Sequence, residues 1–390
     1  MRVLVLGGCG IQGRAAVYDL AKSPAVSEVL CADARPVEML LFKNDPPANK
    51  VRFEALDASD ETQLAGLMGR ADAAIDLLPR QFMPVVCQAA IAAGVSVVNT
   101  NYAYDIAHLD AAARQAGIAI APECGLDPGI DLVLCAEMAR RFDRLEVMNA
   151  YCGGIPEPAA CDNPLNYKIS WNWEGVLAST MRPARQIQAG HVIEITAADQ
   201  HARRHIHTVE FPGLGTLEAI PNGDALFFAR QMGVDETIRQ AGRYSLRWPG
   251  WSAFWHPLKM LGFLDQSPIS DLPGKVSGYD VMHRLLAPQL HYRDDEKDLV
   301  VMLNVFEGQQ AQRTIRVTTT LRIERDLDSG LLAMSQAVGF TASIVAQMIA
   351  TKQIDATGVL SPTRDIPYQA FVDALDQRGI RIDHTEQVLA

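Results

Sequence analysis

A chain of 390 residues with 48% hydrophobic and 21% charged residues has the length for two domains and the balance of an ordinary soluble globular protein. Its formal charge of −11 argues against a nucleic-acid backbone or an anionic membrane as the main partner. Seven cysteines, an odd count with no C-x-x-C spacing, argue against a disulfide framework or structural zinc and suit a reducing cytoplasm.

Residues 3–6 are four consecutive apolar residues, which predict a strand buried on both faces of a parallel sheet. They run into a G-x-G-x-x-G at 8–13. Gly8 permits a tight turn out of the strand, Gly10 lets a pyrophosphate approach the backbone, and Gly13 lets the next helix pack closely. Ile11 and Gln12 then lie at a helix N-terminus, whose free N–H groups suit phosphate. A helix over 11–21 and an apolar strand over 29–33 follow. That strand ends in Asp33, twenty residues beyond Gly13, where a carboxylate would bond an adenosine ribose 2′-OH. The pattern predicts dinucleotide binding; a glycine turn in an ordinary βαβ unit is the alternative. Asp33 favours NAD over NADP, because a carboxylate repels a 2′-phosphate, while Arg35 nearby leaves NADP open.

Strands are predicted over 51–56, 73–78, 95–99 and 118–121. Helices are predicted over about 60–68, capped by Ser59 or Asp60, and over 82–93 and 107–116, stopped by Gly94 and Gly117. This alternation predicts a Rossmann-type doubly wound parallel sheet over residues 1–127. Ligands of such sheets sit beyond the carboxyl ends of the strands. Those ends carry Asp57, Leu78, Pro79, Asn99, Asn101, Tyr102 and residues 123–127.

A helix over 130–142, a strand over 145–151 and a Pro- and Gly-rich loop over 153–164 come next. Strands over 193–197, 204–211, 244–247, 299–306 and 314–323 then mix with helices over 225–232, 255–263 and 279–290. Residues 128–330 are thus predicted to form a second, α+β domain for substrate binding and dimerisation. A helix over 335–350 and another over 368–377 belong to a tail, 331–390, predicted to pack back on the first domain. Residues 331–350 come nearest to a membrane span, but Ser335, Gln336, Thr341, Ser343 and Gln347 interrupt them, which predicts a buried helix.

Three stretches carry residues suited to chemistry. In ECGLDPGID at 123–131, Asp127 stands where a nicotinamide would lie and could orient an amine or assist proton transfer. The alternative is a helix cap, with Pro128 at the first helical position. In residues 151–171, glycine, proline, amide, Lys168 and tryptophan suit a wall around a polar ligand, or a structured loop. Cys152 there is either a reactive thiol or an inert buried one. Arg247, in SLRWPG at 245–250, is a candidate grip for a carboxylate, or a plain ion-paired arginine. HARRHIH at 201–207 places His205 and His207 on one strand face. No carboxylate or cysteine stands beside them and the arginines oppose a cation, so no metal site is expected. Trp248, Trp251, Phe254 and Trp255 read as core or interface.

GLDPGID, followed by YCGGIPEP and DNPLNYKISW, resembles the saccharopine dehydrogenase family, in its glutamate-forming saccharopine reductase branch. The resemblance spans the chain, with SLRWPG similar to the family's T-L-R-Y-x-G. It implies pyridine-nucleotide oxidation of a carbon bearing nitrogen, followed by imine hydrolysis to 2-aminoadipate semialdehyde. It also implies a homodimer and substrate contacts from Asn101, Tyr102, Asp127, Ser245, Leu246 and Arg247, with Asp127 and Tyr102 nearest the chemistry. Cofactor contacts carried over are Gly10, Ile11, Gln12, Gly13, Asp33, Leu78, Asn99, Leu126, Asp127 and Pro128. One departure is PNGD at 221–224, where the family pattern P-N-R-D has arginine in place of Gly223. That loss leaves Arg243 or Lys168 as replacement clamps, and with Asp33 it leans toward a smaller substrate. Lysine 6-dehydrogenase or another amino-acid or opine dehydrogenase is therefore an alternative. A catalytically inactive NAD-binding sensor is a third.

Overall fold

The computed structural model describes residues 1–36, 48–270 and 273–389. The chain forms two units, Met1–Glu137 with Asp328–Arg381, and Met138–Leu327 with Ile382–Ala390.

In the first unit, short apolar segments without polar alternation become buried parallel strands. The elements run β1 (Arg2–Leu6), α1 (Ile11–Lys22), β2 (Glu28–Asp33), β3 (Val51–Ala55), α2 (Glu61–Met68), β4 (Ala73–Asp76), α3 (Met83–Ala93), β5 (Ser96–Asn99), α4 (Asp110–Ala116), β6 (Ala119–Ala121) and α5 (Ile130–Arg141). Asp60 caps α2, accepting from the N–H groups of Thr62 and Gln63. Gly94 and Gly117 end α3 and α4 in the left-handed conformation. Residues 107–109 form a 3-10 turn ahead of α4 rather than its first turn.

After passing through the second unit, the chain adds α10 (Ala333–Ala350), β15 (Gly358–Val359) and α11 (Tyr368–Asp376) to the first. Among the described residues the sheet order is β15-β6-β5-β4-β1-β2-β3, with every pairing parallel. This is the doubly wound order with one strand appended. α10 is long and apolar enough to cross a membrane, yet 78% of it is buried inside the protein. It crosses α1 at Gly339, where a Cβ would lie 2.7 Å from Ala15 Cβ and from Ala16 N. Asp19 of α1 accepts from Ser343 at 2.6 Å and from Arg378 at 2.7 Å.

The second unit holds β7 (Arg144–Pro156), α6 (Trp173–Ser179), β8 (Ala184–Gln188), β9 (His191–Ile195), β10 (His207–Phe211), β11 (Gly215–Pro221), α7 (Ala225–Gln231), β12 (Gln240–Arg247), α8 (Trp251–Met260), α9 (Gly278–Leu286), β13 (Asp298–Gln310), β14 (Arg313–Glu324) and β16 (Ile382–Val388). Among the described residues its sheet runs β10-β11-β12-β7-β13-β14-β16, with β8 on β12 and β9 on β8. Only β12–β7 is parallel. Tyr151, Leu217, Leu246, Val301 and their neighbours form a core on one face. Tyr167, Trp173, Ile220, Trp251, Trp255 and Met282 form a second core.

Three expectations are corrected. The stretch 153–164 is not all loop, since β7 runs through Gly153 and Gly154 to Pro156. A Cβ on Gly153 would lie 2.4 Å from Leu246 O, so the glycine lets β12 close on β7. His205 ends a 3-10 turn and β10 begins at His207, so the two histidines share no strand face. Finally, the tail does not pack entirely on the first unit, because β16 pairs with β14 along Ile315–Leu321.

Candidate active site

The first unit gathers its candidate residues where the chain leaves the sheet. The strand order reverses between β4 and β1, and the glycine turn follows β1 there. Gly7 has φ +74°, and a Cβ on it would lie 2.8 Å from Leu77 O. A Cβ on Gly13 would lie 2.1 Å from Gly7 O, and one on Gly8 would lie 2.5 Å from Cys31 Sγ. α1 has no side-chain cap and no acid in its first turn. Its leading N–H groups and dipole stay available to an anion. Gly8, Gly10, Ile11, Gln12 and Gly13 thus form a cradle that fits a dinucleotide pyrophosphate.

Asp33 ends β2 beside this turn, its carboxylate accepting from Cys9 N–H at 3.1 Å and Arg35 N–H at 3.2 Å. Asp57 accepts from the Ser59 hydroxyl at 2.6 Å and N–H at 2.9 Å, and these bonds hold its carboxyl below the usual range. Leu78 N–H donates to Asp76 Oδ1 at 3.1 Å, and Pro79 precedes a 3-10 turn. Asp76 is a functional candidate that sequence reasoning passed over. It is fully buried, its Oδ2 has no partner among the described residues, and burial lifts its carboxyl from 3.8 to about 7. The signal available was an acid inside the apolar run 73–78.

Asn99 is also fully buried, and its Oδ1 accepts from Asn101 N–H at 3.0 Å, which shapes the loop carrying Asn101 and Tyr102. Tyr102 stacks on Tyr104 at 5.6 Å. Glu123 ties this loop to the next one, donating its N–H to Asn101 O at 2.9 Å and accepting from Ala103 N–H at 3.2 Å. Asp127 is half-buried and precedes a cis peptide to Pro128; Leu126 and Pro128 are buried. The helix-cap reading of Asp127 does not hold, because α5 begins only at Ile130. The carboxylate bonded at that helix start belongs to Asp131, which accepts from Gly129 N–H at 2.8 Å. Burial raises Asp131 to about 7.

In the second unit, alternation along β12 puts Ser245 and Arg247 on one sheet face and Leu246 on the other, inside a core. Leu246 therefore has only backbone to offer a ligand on the Arg247 face. Arg247 is buried, and its guanidinium lies 5.4 Å from the Tyr167 ring centre and 5.1 Å from that of Trp251. It donates to Leu246 O at 2.7 Å, and its Nε has no partner among the described residues. No carboxylate among them pairs with it, and burial lowers its pKa. Glu218, its register partner on β11, accepts instead from Ser252 N–H at 2.8 Å and Gly250 N–H at 3.0 Å, capping α8.

Lys168, expected as a substrate contact, is buried. Its ammonium donates to Glu296 Oε1 at 2.7 Å, Glu296 Oε2 at 2.8 Å and Asp162 at 3.0 Å. All three N–H donors are engaged within the protein. Arg243 is likewise buried and lies 4.7 Å from the Phe228 ring centre. Cys152 is buried on β7, opposite Ser245 in register. His201 sits 3.2 Å from Lys259 Nζ; burial lowers the histidine to about 3 and the lysine to about 8. His207 lies 3.3 Å from Tyr151 OH. Among the described residues no three His, Cys, Asp or Glu side chains gather as a metal site.

Comparison with known proteins decides the lineage. A model of the saccharopine dehydrogenase NADP binding domain matches residues 3–121, and one of the saccharopine dehydrogenase C-terminal domain matches residues 125–380. The chain belongs to the saccharopine dehydrogenase family. Mouse mitochondrial alpha-aminoadipic semialdehyde synthase is 26% identical over 441 residues, covering 97% of this chain and 47% of that protein. The chain spans about half the length of the first curated relatives it matches. A saccharopine dehydrogenase (NADP(+), L-glutamate-forming) from Schizosaccharomyces pombe is 25% identical over 408 residues, covering 88% of this chain and 90% of the relative. The apo saccharopine dehydrogenase (L-Glu forming) structure from Saccharomyces cerevisiae shares the fold, with a TM-score of 0.83 at 23% identity over 100% of both chains. The family's nucleotide is of the NAD(P) class, in keeping with the glycine cradle of the first unit.

Proposed function

We propose that this family member is an NAD(P)-dependent oxidoreductase acting on the CH–NH group of saccharopine, releasing L-glutamate and 2-aminoadipate semialdehyde. The observation that carries the reading is Arg247. A buried guanidinium with no carboxylate partner among the described residues calls for an anion from outside the protein. A substrate carboxylate supplies one and can be held bidentately. The glycine cradle holds the nucleotide, which when bound accepts hydride from the carbon bearing nitrogen. Asp127 orients the substrate amine and assists its proton transfer, with Asn101 and Tyr102 on the neighbouring loop. Ser245 adds a hydroxyl on the Arg247 face.

A second reading, lysine 6-dehydrogenase activity, is favoured by Gly223. It has φ +67° and no side chain to offer, and its carbonyl accepts from Arg185 N–H at 3.0 Å. The flanking polar residues are engaged, Asn222 with Arg182 at 3.1 Å and Asp224 with Arg185 at 2.9 Å.

The test is a substrate screen read by NADH and NADPH absorbance, with glutamate and ammonia scored as products. Glutamate from saccharopine is expected. Ammonia from lysine, with saccharopine inert, would replace the first reading with the second. Nucleotide binding without turnover on any amine or opine would leave the sensor reading. We further propose a cytoplasmic homodimer, for which a monomeric mass in solution is the opposing result.

A further inference from the structure

We propose that Asp33 makes this chain selective for the nucleotide with a free ribose 2′-hydroxyl, NAD, over its 2′-phosphorylated form. The proposal rests on the dinucleotide reading of the first unit, and it departs from the NADP(+) named for the relatives.

Placement comes first. β2 pairs with β1 through Leu6↔Ala32, so Asp33 follows directly where β1 enters the glycine turn. Gly7 N–H donates to Ala32 O at 2.8 Å, which holds that turn against the end of β2. An adenosine ribose whose pyrophosphate lies on the cradle reaches this strand end.

Orientation comes second. The Asp33 carboxylate is anchored through both oxygens, Oδ2 from Cys9 N–H at 3.1 Å and Oδ1 from Arg35 N–H at 3.2 Å. Its backbone carbonyl accepts from Leu56 N–H at 3.0 Å. A carboxylate oxygen accepts more than one bond, so each retains capacity for a ribose hydroxyl. The Cys9 donor belongs to the glycine turn itself, so the acid is fixed relative to the cradle and cannot swing aside without losing that bond.

Charge comes third. Among the described residues no lysine or arginine forms an ion pair with Asp33; Arg35 reaches it only through its backbone N–H. A 2′-phosphate placed there would meet a fixed negative charge, whereas a 2′-hydroxyl meets a hydrogen-bond acceptor. The same group thus attracts one nucleotide and repels the other.

The experiment is a titration of the full chain with NADH and with NADPH, without substrate, followed by nucleotide fluorescence. NADH is expected to bind at least about 10-fold more tightly than NADPH, the order of one charge-assisted hydrogen bond. Asp33→Asn keeps an acceptor of the same shape and removes the charge; it is expected to tighten NADPH and weaken NADH, so that the ratio falls about 10-fold or more. Circular dichroism shows whether the variant is folded, and Asp33→Ser serves if it is not. Tighter NADPH binding by the wild type, or an unchanged ratio in the folded variants, overturns the proposal. Binding of neither nucleotide overturns it together with the dinucleotide reading. NADH binding without turnover of saccharopine defeats the proposed function and leaves the role of Asp33 standing.

Discussion

Lys168 shows how burial settles a side chain's task. With its ammonium on Glu296 and Asp162, it fastens the segment after β7 to the segment before β13. Both members of the Lys168–Glu296 pair are buried, so removing one leaves the other with only a more exposed partner, Asp162 for Lys168 or Arg293 for Glu296. Glu296→Gln is expected to cost about 1.5–3 kcal/mol, read by denaturant unfolding, and Lys168→Met with Glu296→Leu together to cost less than the sum of the two single changes. Burial alone would raise the Glu296 pKa, but the Lys168 bond, the Arg293 N–H and the two cations pull it below 4.5. A depressed folded-state carboxyl stabilises above its unfolded pKa, and the gain disappears as pH falls through the folded value. The stability gap between wild type and Glu296→Gln should therefore narrow on acidification below about pH 4.5. Asp76 has the opposite sign. Its folded carboxyl titrates at about 7 against 3.8, so the wild type loses stability as pH rises through that interval. Asp76→Asn should gain on the wild type over the same interval, by up to about 4 kcal/mol, with no difference in slope above pH 8. Melting temperatures measured from pH 4 to 8 check this; parallel curves would refute it. At Arg247, lysine keeps the charge and loses the planar fork. On the proposed function, Arg247→Lys is expected to raise the KM for saccharopine about 10–100-fold. An unchanged KM would remove the residue from the substrate site.

At the level of elements, the crossing of α1 and α10 depends on a missing side chain. Gly339→Ala would put a Cβ 2.7 Å from Ala15 Cβ and 2.8 Å from Gln12 O, so backbone must move. The expected loss is about 1–3 kcal/mol. Gly66 in α2 has nothing within 4 Å of an added Cβ, and Gly66→Ala should instead stabilise by about 0.5–1 kcal/mol. Thermal unfolding of the two variants should move in opposite directions. The βα alternation of the first unit was legible because buried parallel strands are written as apolar runs and the helices α2, α3 and α4 are each followed by glycine. β16 was not, since IDHTEQV is exposed almost throughout and has no inward face to create a period. β7 was cut short because Gly153-Gly154 has the composition of a turn, and only the approach of Leu246 O explains glycine in the strand. The site divides in the same way. The glycine cradle and Asp33 follow from local spacing. The partner of Lys168, by contrast, lies 128 residues away, and the cap that Glu218 provides to α8 exists only once β11 and β12 are paired.

For the whole molecule, what matters is the order in which the chain visits its two units. It begins in the first, leaves it within α5, returns at Asp328, and ends in the second with β16. A chain ending at Arg381 would lack β16 and leave the β14 edge bare. Hydrogen exchange of such a truncation should quicken in β14 and leave β1 and β4 as protected as before; uniform protection would show that β16 adds nothing. The packing of α10 on α1 has its own consequence in time. On a ribosome adding about 5–20 residues per second, α10 emerges on the order of 15–60 s after α1. Throughout that interval the small-residue face of α1 has no native cover, so a nascent chain that already carries the whole glycine fingerprint cannot yet complete the unit that contains it.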